Sequence, residues 1–152
     1  MKQIQIQNKP LDIAALQAEL WTGNPAVGAV VSFVGLMRDM NEGEPAESML
    51  LEHYPGMTER ALEQIVAEAG ERWPVLAVRV VHRVGELRPL DAIVMVAVAA
   101  AHRGEAFQAC EFIIDYLKTR APFWKKERTA AGERWVEART SDAEAERRWE
   151  KG

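Results

Sequence analysis

Cysteine is nearly missing from this chain of 152 residues: Cys110 stands alone. No intramolecular disulfide can form, and no cysteine-based zinc site can be built. Only three histidines occur, and His53 and His82 have no metal-ligand spacing with each other or with His102. They read as structural or surface histidines. No apolar run approaches the ~20 residues that span a bilayer, and MKQIQIQNKP lacks the apolar segment of a signal peptide. The expectation is a cytoplasmic protein with no membrane partner. Also absent are a Ser-His-Asp pattern, a phosphate-cradling Walker loop, a dinucleotide fingerprint, internal repeats and low-complexity stretches. A net charge of −4 argues against nucleic acid as a general partner.

The length suits one domain with one core, and 48% hydrophobic with 28% charged residues is ordinary for a globular chain. Charge is unevenly spread. Between His102 and Arg139 eight basic residues face six acidic ones. A basic pocket on an acidic protein suggests a small anionic ligand rather than a polymer.

Ile4 and Ile6 alternate with glutamines as in a half-buried strand. Asp12 reads as an N-cap, with Leu11 and Leu16 as a hydrophobic staple; Ile13, Leu16 and Leu20 share a helix face that ends at Thr22-Gly23-Asn24-Pro25. Val27 to Val34 reads as a central strand buried on both faces. Residues 40–47 (MNEGEPAE) read as a mobile loop and Met49 to Tyr54 as a strand. Thr58 reads as the cap of a second helix, with Met57 and Leu62 stapled and Leu62, Ile65, Val66 and Ala69 inward. Val75–Val84 and Ala92–Ala101 are apolar strands. Gly104 opens a third helix with Phe107, Cys110, Ile114, Leu117 and Ala121 at helical spacing, so Cys110 reads as a buried structural thiol. Pro122 ends that helix. Trp124–Arg128 and Arg134–Glu137 can pair around Ala131-Gly132. Residues 1–140 form the expected domain; the charged tail 141–152 reads as frayed or loosely helical. Helices and strands mix without regular βαβ alternation, so the class is α+β.

Three groups of residues carry possible chemistry. His102-Arg103-Gly104 sits at a helix start, where free N–H groups and the dipole favour an anion and Arg103 offers a planar donor fork. Arg38 follows an apolar strand and Gly35, a position that permits close approach of a ligand. Lys118, Lys125 and Lys126 flank Pro122, and a chain turning back there brings their ammonium groups together. Neighbouring cations and partial burial would then lower a lysine pKa. Singly, each group is better read as ordinary surface: a surface arginine with a histidine capping the strand end, a solvated arginine, and a solvated basic helix end.

Their combination is more specific. FVGLMRD (33–39), LEHYPGM (51–57), HRVGEL (82–87), AHRGEAF (101–107) and DYLKTRAPFWKKE (115–127) together resemble the large, catalytic subunit of molybdopterin synthase over most of residues 1–140. The resemblance implies an α/β-hammerhead fold with an additional antiparallel β-sheet. It implies a sulfurtransferase of molybdenum cofactor biosynthesis. Such an enzyme moves two sulfurs from the thiocarboxylated Gly-Gly end of a small ubiquitin-like carrier subunit to cyclic pyranopterin monophosphate (precursor Z). It also implies a heterotetramer around a dimer of this chain. Carried over by residue, Lys118 and Lys125 would be the catalytic lysines. Arg38, His102 and Arg103 would hold the phosphate or pterin. Leu36, Met37, Lys126 and Glu127 would line the pocket, and Arg139 would reach the neighbouring subunit's site. No metal or other cofactor is expected, because sulfur arrives already activated on an acyl group. Two other readings remain open: a non-catalytic phosphate-metabolite module using Arg38 and Arg103, and a scaffold for a ubiquitin-like partner.

Overall fold

The computed structural model describes residues 1–41, 44–136 and 140–150. Along these the order is β1 (Lys2–Gln7), α1 (Ile13–Ala18), β2 (Ala29–Leu36), β3 (Met40–Asn41), β4 (Glu44–His53), α2 (Met57–Arg72) and β5 (Val75–Arg83). There follow β6 (Gly85–Leu87), β7 (Ala92–Ala100), α3 (Arg103–Arg120), β8 (Phe123–Thr129), β9 (Gly132–Val136) and α4 (Thr140–Arg147). Helices and largely antiparallel sheets mix as the α+β class requires.

Strands β1, β5, β7 and β2 form one sheet in that order. Only β1 and β5 run parallel. The continuous apolar runs of β5 and β7 follow from cover on both sides. On one side α2 and α3 bring Leu62, Ile65, Phe112, Ile113 and Tyr116 against Val78, Val80, Val96 and Val98. On the other, Leu20 with Leu11, Ile13 and Leu16 covers Ala77, Met95, Ala97 and Ala99. Asp12 caps α1 as expected, its Oδ1 accepting from Ala15 N–H at 3.2 Å. The second sheet runs β3-β4-β8-β9, with β6 also on β4. Its apolar face gathers Met37, Met49, Leu51 and Leu87 with Phe123 and Ile93, which joins the two sheets.

Several expectations are corrected. Strand β2 packs on both faces, yet it is the outermost strand of its sheet and only half-buried; composition reports cover above and below a strand, not what lies beside it. The expected loop 40–47 contributes β3 and the start of β4, with Met40 opposite Pro45 and Asn41 opposite Glu44; residues 42 and 43 lie outside the described residues. Polar edge strands carry no period-2 apolar signal, hence the misreading. Gly56, not Thr58, is the N-cap of α2, and its N–H donates to Glu59 Oε2 at 3.0 Å. Met57 is 54% exposed and staples nothing.

Thr58 does something else. Fully buried, its hydroxyl accepts from Tyr54 N–H at 2.9 Å and donates to the Pro122 carbonyl at 3.0 Å. It thus ties the start of α2 to the turn between α3 and β8. Thr58→Val keeps the volume and strands both backbone groups, so a loss of about 1–3 kcal/mol in urea unfolding is expected. An unchanged midpoint would show that the tie contributes nothing.

The inward face of α3 carries Ala106, Ala109, Cys110, Ile113 and Leu117. Phe107 is 60% exposed, contrary to the spacing argument; the small residues Ala106 and Ala109 set the close approach to the sheet and rotate the stripe by one position. Cys110 is buried as expected. Burial pushes its thiol up to about 12, so it has no thiolate with which to attack. Of the two expected forms of the tail, the helical one is found, as α4 over Thr140–Arg147. Trp149 packs edge-on against Trp73 and Phe112, and its indole N–H donates to Asp115 at 2.7 Å. Arg148 adds an ion pair to Asp115 at 2.9 Å. The charged composition hid one anchoring aromatic.

Candidate active site

Where the two sheets meet the C-terminal end of α3, a cavity of about 620 Å³ opens. Its walls come from several elements, among them β4 with Met49 and Leu51 and β7 with Ile93 and Val94. The end of β2 supplies Phe33 and the stretch Gly35–Arg38, β5 supplies His82, α3 supplies Lys118, and β8 supplies Phe123, Lys125 and Glu127. Asp142 of α4 reaches it as well.

Local structure explains each placement. A register shift follows Gly35, and a Cβ at Gly35 would lie 3.0 Å from Val94 Cγ1. The glycine therefore serves packing at the bend. Beyond it, Met37 N–H donates to the Asp91 carbonyl at 3.0 Å and Leu90 N–H to the Met37 carbonyl at 2.8 Å. These two bonds fix Met37 in the core and leave Arg38 exposed at the cavity. The chain turns back at Pro122, so the last turns of α3 and the first residues of β8 face each other. Strand alternation then puts Phe123, Lys125 and Glu127 on the cavity side, and Trp124 and Lys126 predominantly on the other.

Of the residues singled out in the sequence, Leu36, Met37, Arg38, Lys118, Lys125 and Glu127 line this one cavity. Lys126 does not. It pairs with Glu133 at 2.8 Å and lies over the Trp135 ring at 5.4 Å; the period of two separates it from Lys125. Glu127 is buried and receives Arg134 Nε and Nη2 at 3.1 and 3.0 Å. His102 and Arg103 are exposed at the opposite end of α3. Fifteen residues of helix separate Arg103 from Lys118, about 22 Å, so one chain does not bring them together. Arg139 lies outside the described residues.

The electrostatics are those of a confined cationic site. Lys125 is held below the usual lysine range, first by burial and then by the charge of Lys118, with Asp142 and Glu127 opposing. His82 is 4% exposed, and burial, aided by Lys118 and Lys125, pushes its imidazole down to about 3. Its Nδ1 lies 2.9 Å from the Arg83 carbonyl and its ring stacks on Phe123 at 3.8 Å. Sequence reasoning placed His82 among structural or surface histidines. Its neighbours Val80 and Val81 advertise a buried strand, but nothing local says that the cavity lies at its end. Asp142 was likewise hidden in the tail. Among the described residues no cluster of His, Cys, Asp and Glu can hold a metal ion, and no helix is long and apolar enough to cross a membrane.

The family model of the MoaE protein matches residues 6–120. The chain belongs to the MoaE family. A molybdopterin synthase catalytic subunit from Ralstonia nicotianae is 57% identical over 149 residues, 98% of this chain and 85% of the relative. The solved MoaE structure from Burkholderia ambifaria superposes with a TM-score of 0.85 at 57% identity, covering 99% of both chains. A second solved structure shares the fold at 21% identity, with a TM-score of 0.74 over 90% of this chain and 91% of the other. It is a protein-protein complex of subunits 1 and 2 of the molybdopterin-converting factor from Helicobacter pylori. Membership makes this MoaE chain a catalytic subunit of molybdopterin synthase, acting in molybdenum cofactor biosynthesis.

Proposed function

We propose that the chain is a sulfurtransferase, and that the cavity is where sulfur passes from a thiocarboxylated carrier subunit to cyclic pyranopterin monophosphate. The observation that carries this reading is the convergence of Lys118, Lys125 and Arg38 on one cavity in a member of this family. The substrate is a compact anion, and the donors around it are cationic. In each transfer the carrier's sulfur forms a C–S bond to a pterin side-chain carbon as a C–O bond on that carbon breaks and the oxygen leaves, as water or on the phosphate; water then replaces the acyl C–S bond by a C–O bond, giving the carrier carboxylate and a thiolate on the pterin. Negative charge develops on the acyl oxygen and on the departing sulfur. Lys118 and Lys125 stabilise it with fixed positive charge in a partly dehydrated site. A Gly-Gly tail has little side chain to recognise, so a narrow channel and backbone contacts hold it; Leu36 and Met37 line the cavity.

The partner is a small ubiquitin-like subunit, a reading supported by the two-subunit Helicobacter pylori assembly. His102 and Arg103 take part only if a second copy of this chain brings them to the cavity, which the ~22 Å length of helix requires; Arg139 is given its role in the neighbouring site by the family resemblance alone. The working assembly is therefore a dimer of this chain with one carrier at each end, in the cytoplasm.

The test mixes purified chain with thiocarboxylated carrier and precursor Z and follows molybdopterin through its fluorescent oxidised derivative. Product is expected. Carrier binding without pterin binding would replace this reading by a scaffold, and pterin binding without carrier binding by a metabolite module.

A further inference from the structure

The cavity is rich in donors. Arg38, Lys118 and Lys125 only donate, and the carboxylate of Glu127 is engaged by Arg134. Asp142 adds a second charged acceptor, whereas His82 brings an uncharged one. With Nδ1 donating to the Arg83 carbonyl, Nε2 is left as the acceptor of a neutral ring. The ring is clamped: one face stacks on Phe123, and the strand holding it is bonded to β1 and β7. Phe123 and Lys125 are two residues apart on the same face of β8, so their side chains neighbour each other along the cavity wall. His82, stacked on Phe123, therefore sits beside Lys125.

We propose that His82 is a positioning residue of this site, an uncharged hydrogen-bond acceptor toward which the Lys125 amine turns. The inference deepens the sulfur-transfer reading and rests on it for its catalytic consequence. An aspartate at this place would offset the charge of Lys125 in a salt bridge. An imidazole that stays neutral orients the ammonium and leaves its charge to the reaction. The charged groups around the ring bear this out. Lys118 from α3 and Lys125 from β8 both act against its protonation, as does His53 from β4. Glu127, bonded to Arg134, and the Asp142 side of the cavity complete the wall.

Two substitutions separate this role from simple packing. His82→Phe keeps an aromatic ring to stack on Phe123 but has no acceptor; His82→Gln keeps an acceptor but loses the ring. The pH dependence of Lys125 acylation by a small amine-reactive reagent, read by mass spectrometry on the full chain, gives the lysine's midpoint without any catalytic assay. An acceptor favours the ammonium form, so His82→Phe should lower the midpoint by about one pH unit, a tenfold rise in free amine. His82→Gln should restore most of it. Coincident midpoints in wild type and His82→Phe would overturn the proposal. So would a shift of equal size in both variants, since that marks a packing effect. In the synthase assay His82→Phe should lower kcat about tenfold with KM little changed, and His82→Gln should recover most of it. Failure of wild type in that assay would strike the sulfur-transfer reading alone, because the labelling result stands by itself.

Discussion

Lys118→Ala is expected to lower the rate of molybdopterin formation by about 10²–10³-fold, the usual consequence of removing one preorganised charge stabiliser. The side chain is exposed at the cavity on the last turns of α3. Its loss should therefore leave the fold intact, and circular dichroism should not change. Lys118→Arg keeps the charge in a different shape and should recover only part of the rate. A second signature accompanies the first. The charge of Lys118 is the second cause, after burial, of the lowered Lys125 pKa. Removing it should move the Lys125 titration upward, toward the ordinary lysine value, while burial keeps it short of that value. The midpoint of Lys125 acylation measures this directly. Near-normal turnover in folded Lys118→Ala would remove the lysine from the chemistry, whatever happens to Lys125.

The second large effect concerns acid. His82 is held neutral in the folded protein down to about pH 3, whereas an unfolded histidine takes up its proton near ~6.5. Between those values the unfolded chain binds more protons than the folded one. Stability must then fall as pH drops from about 6.5 toward 3. The size is on the order of 1.4 kcal/mol per pH unit over that window, so roughly 3 kcal/mol has gone by pH 4. The contribution is fully present above the unfolded value and spent below the folded one. Carboxylates also titrate in this range, but they cancel when wild type is compared with His82→Phe. The difference between the two unfolding free energies in urea should therefore shift in favour of the variant as pH falls from 7 to 4. A difference that stays constant would mean that the ring titrates normally in the folded state.

The elements most legible in the sequence were those whose side chains repeat with the geometry of their backbone. β5 and β7 announced themselves by continuous apolar runs, α2 by Leu62, Ile65, Val66 and Ala69, and the β8–β9 hairpin by Ala131-Gly132 between two alternating stretches. Less legible were places where a single contact at long range decides. Trp149 anchors a tail in which seven of twelve residues are charged. Thr58 looked like a local cap and proved to be a bridge to Pro122, 64 residues away.

The candidate site divides in the same way. Sequence by itself determined which residue types are present and in what order, and those motifs brought out Arg38, Lys118 and Lys125 together. It also excluded disulfide and cysteine-zinc chemistry through the single, inward-facing Cys110. Only the tertiary structure decided that Lys125 and not Lys126 faces the cavity, since strand pleating assigns adjacent residues to opposite sides. Only it decided that His82 belongs to the site, because β5 and β8 meet through a stack between residues 41 positions apart in the chain. And only it separated His102 and Arg103 from the lysines, since a motif records proximity along the chain while a straight helix carries its two ends to opposite sides of the molecule.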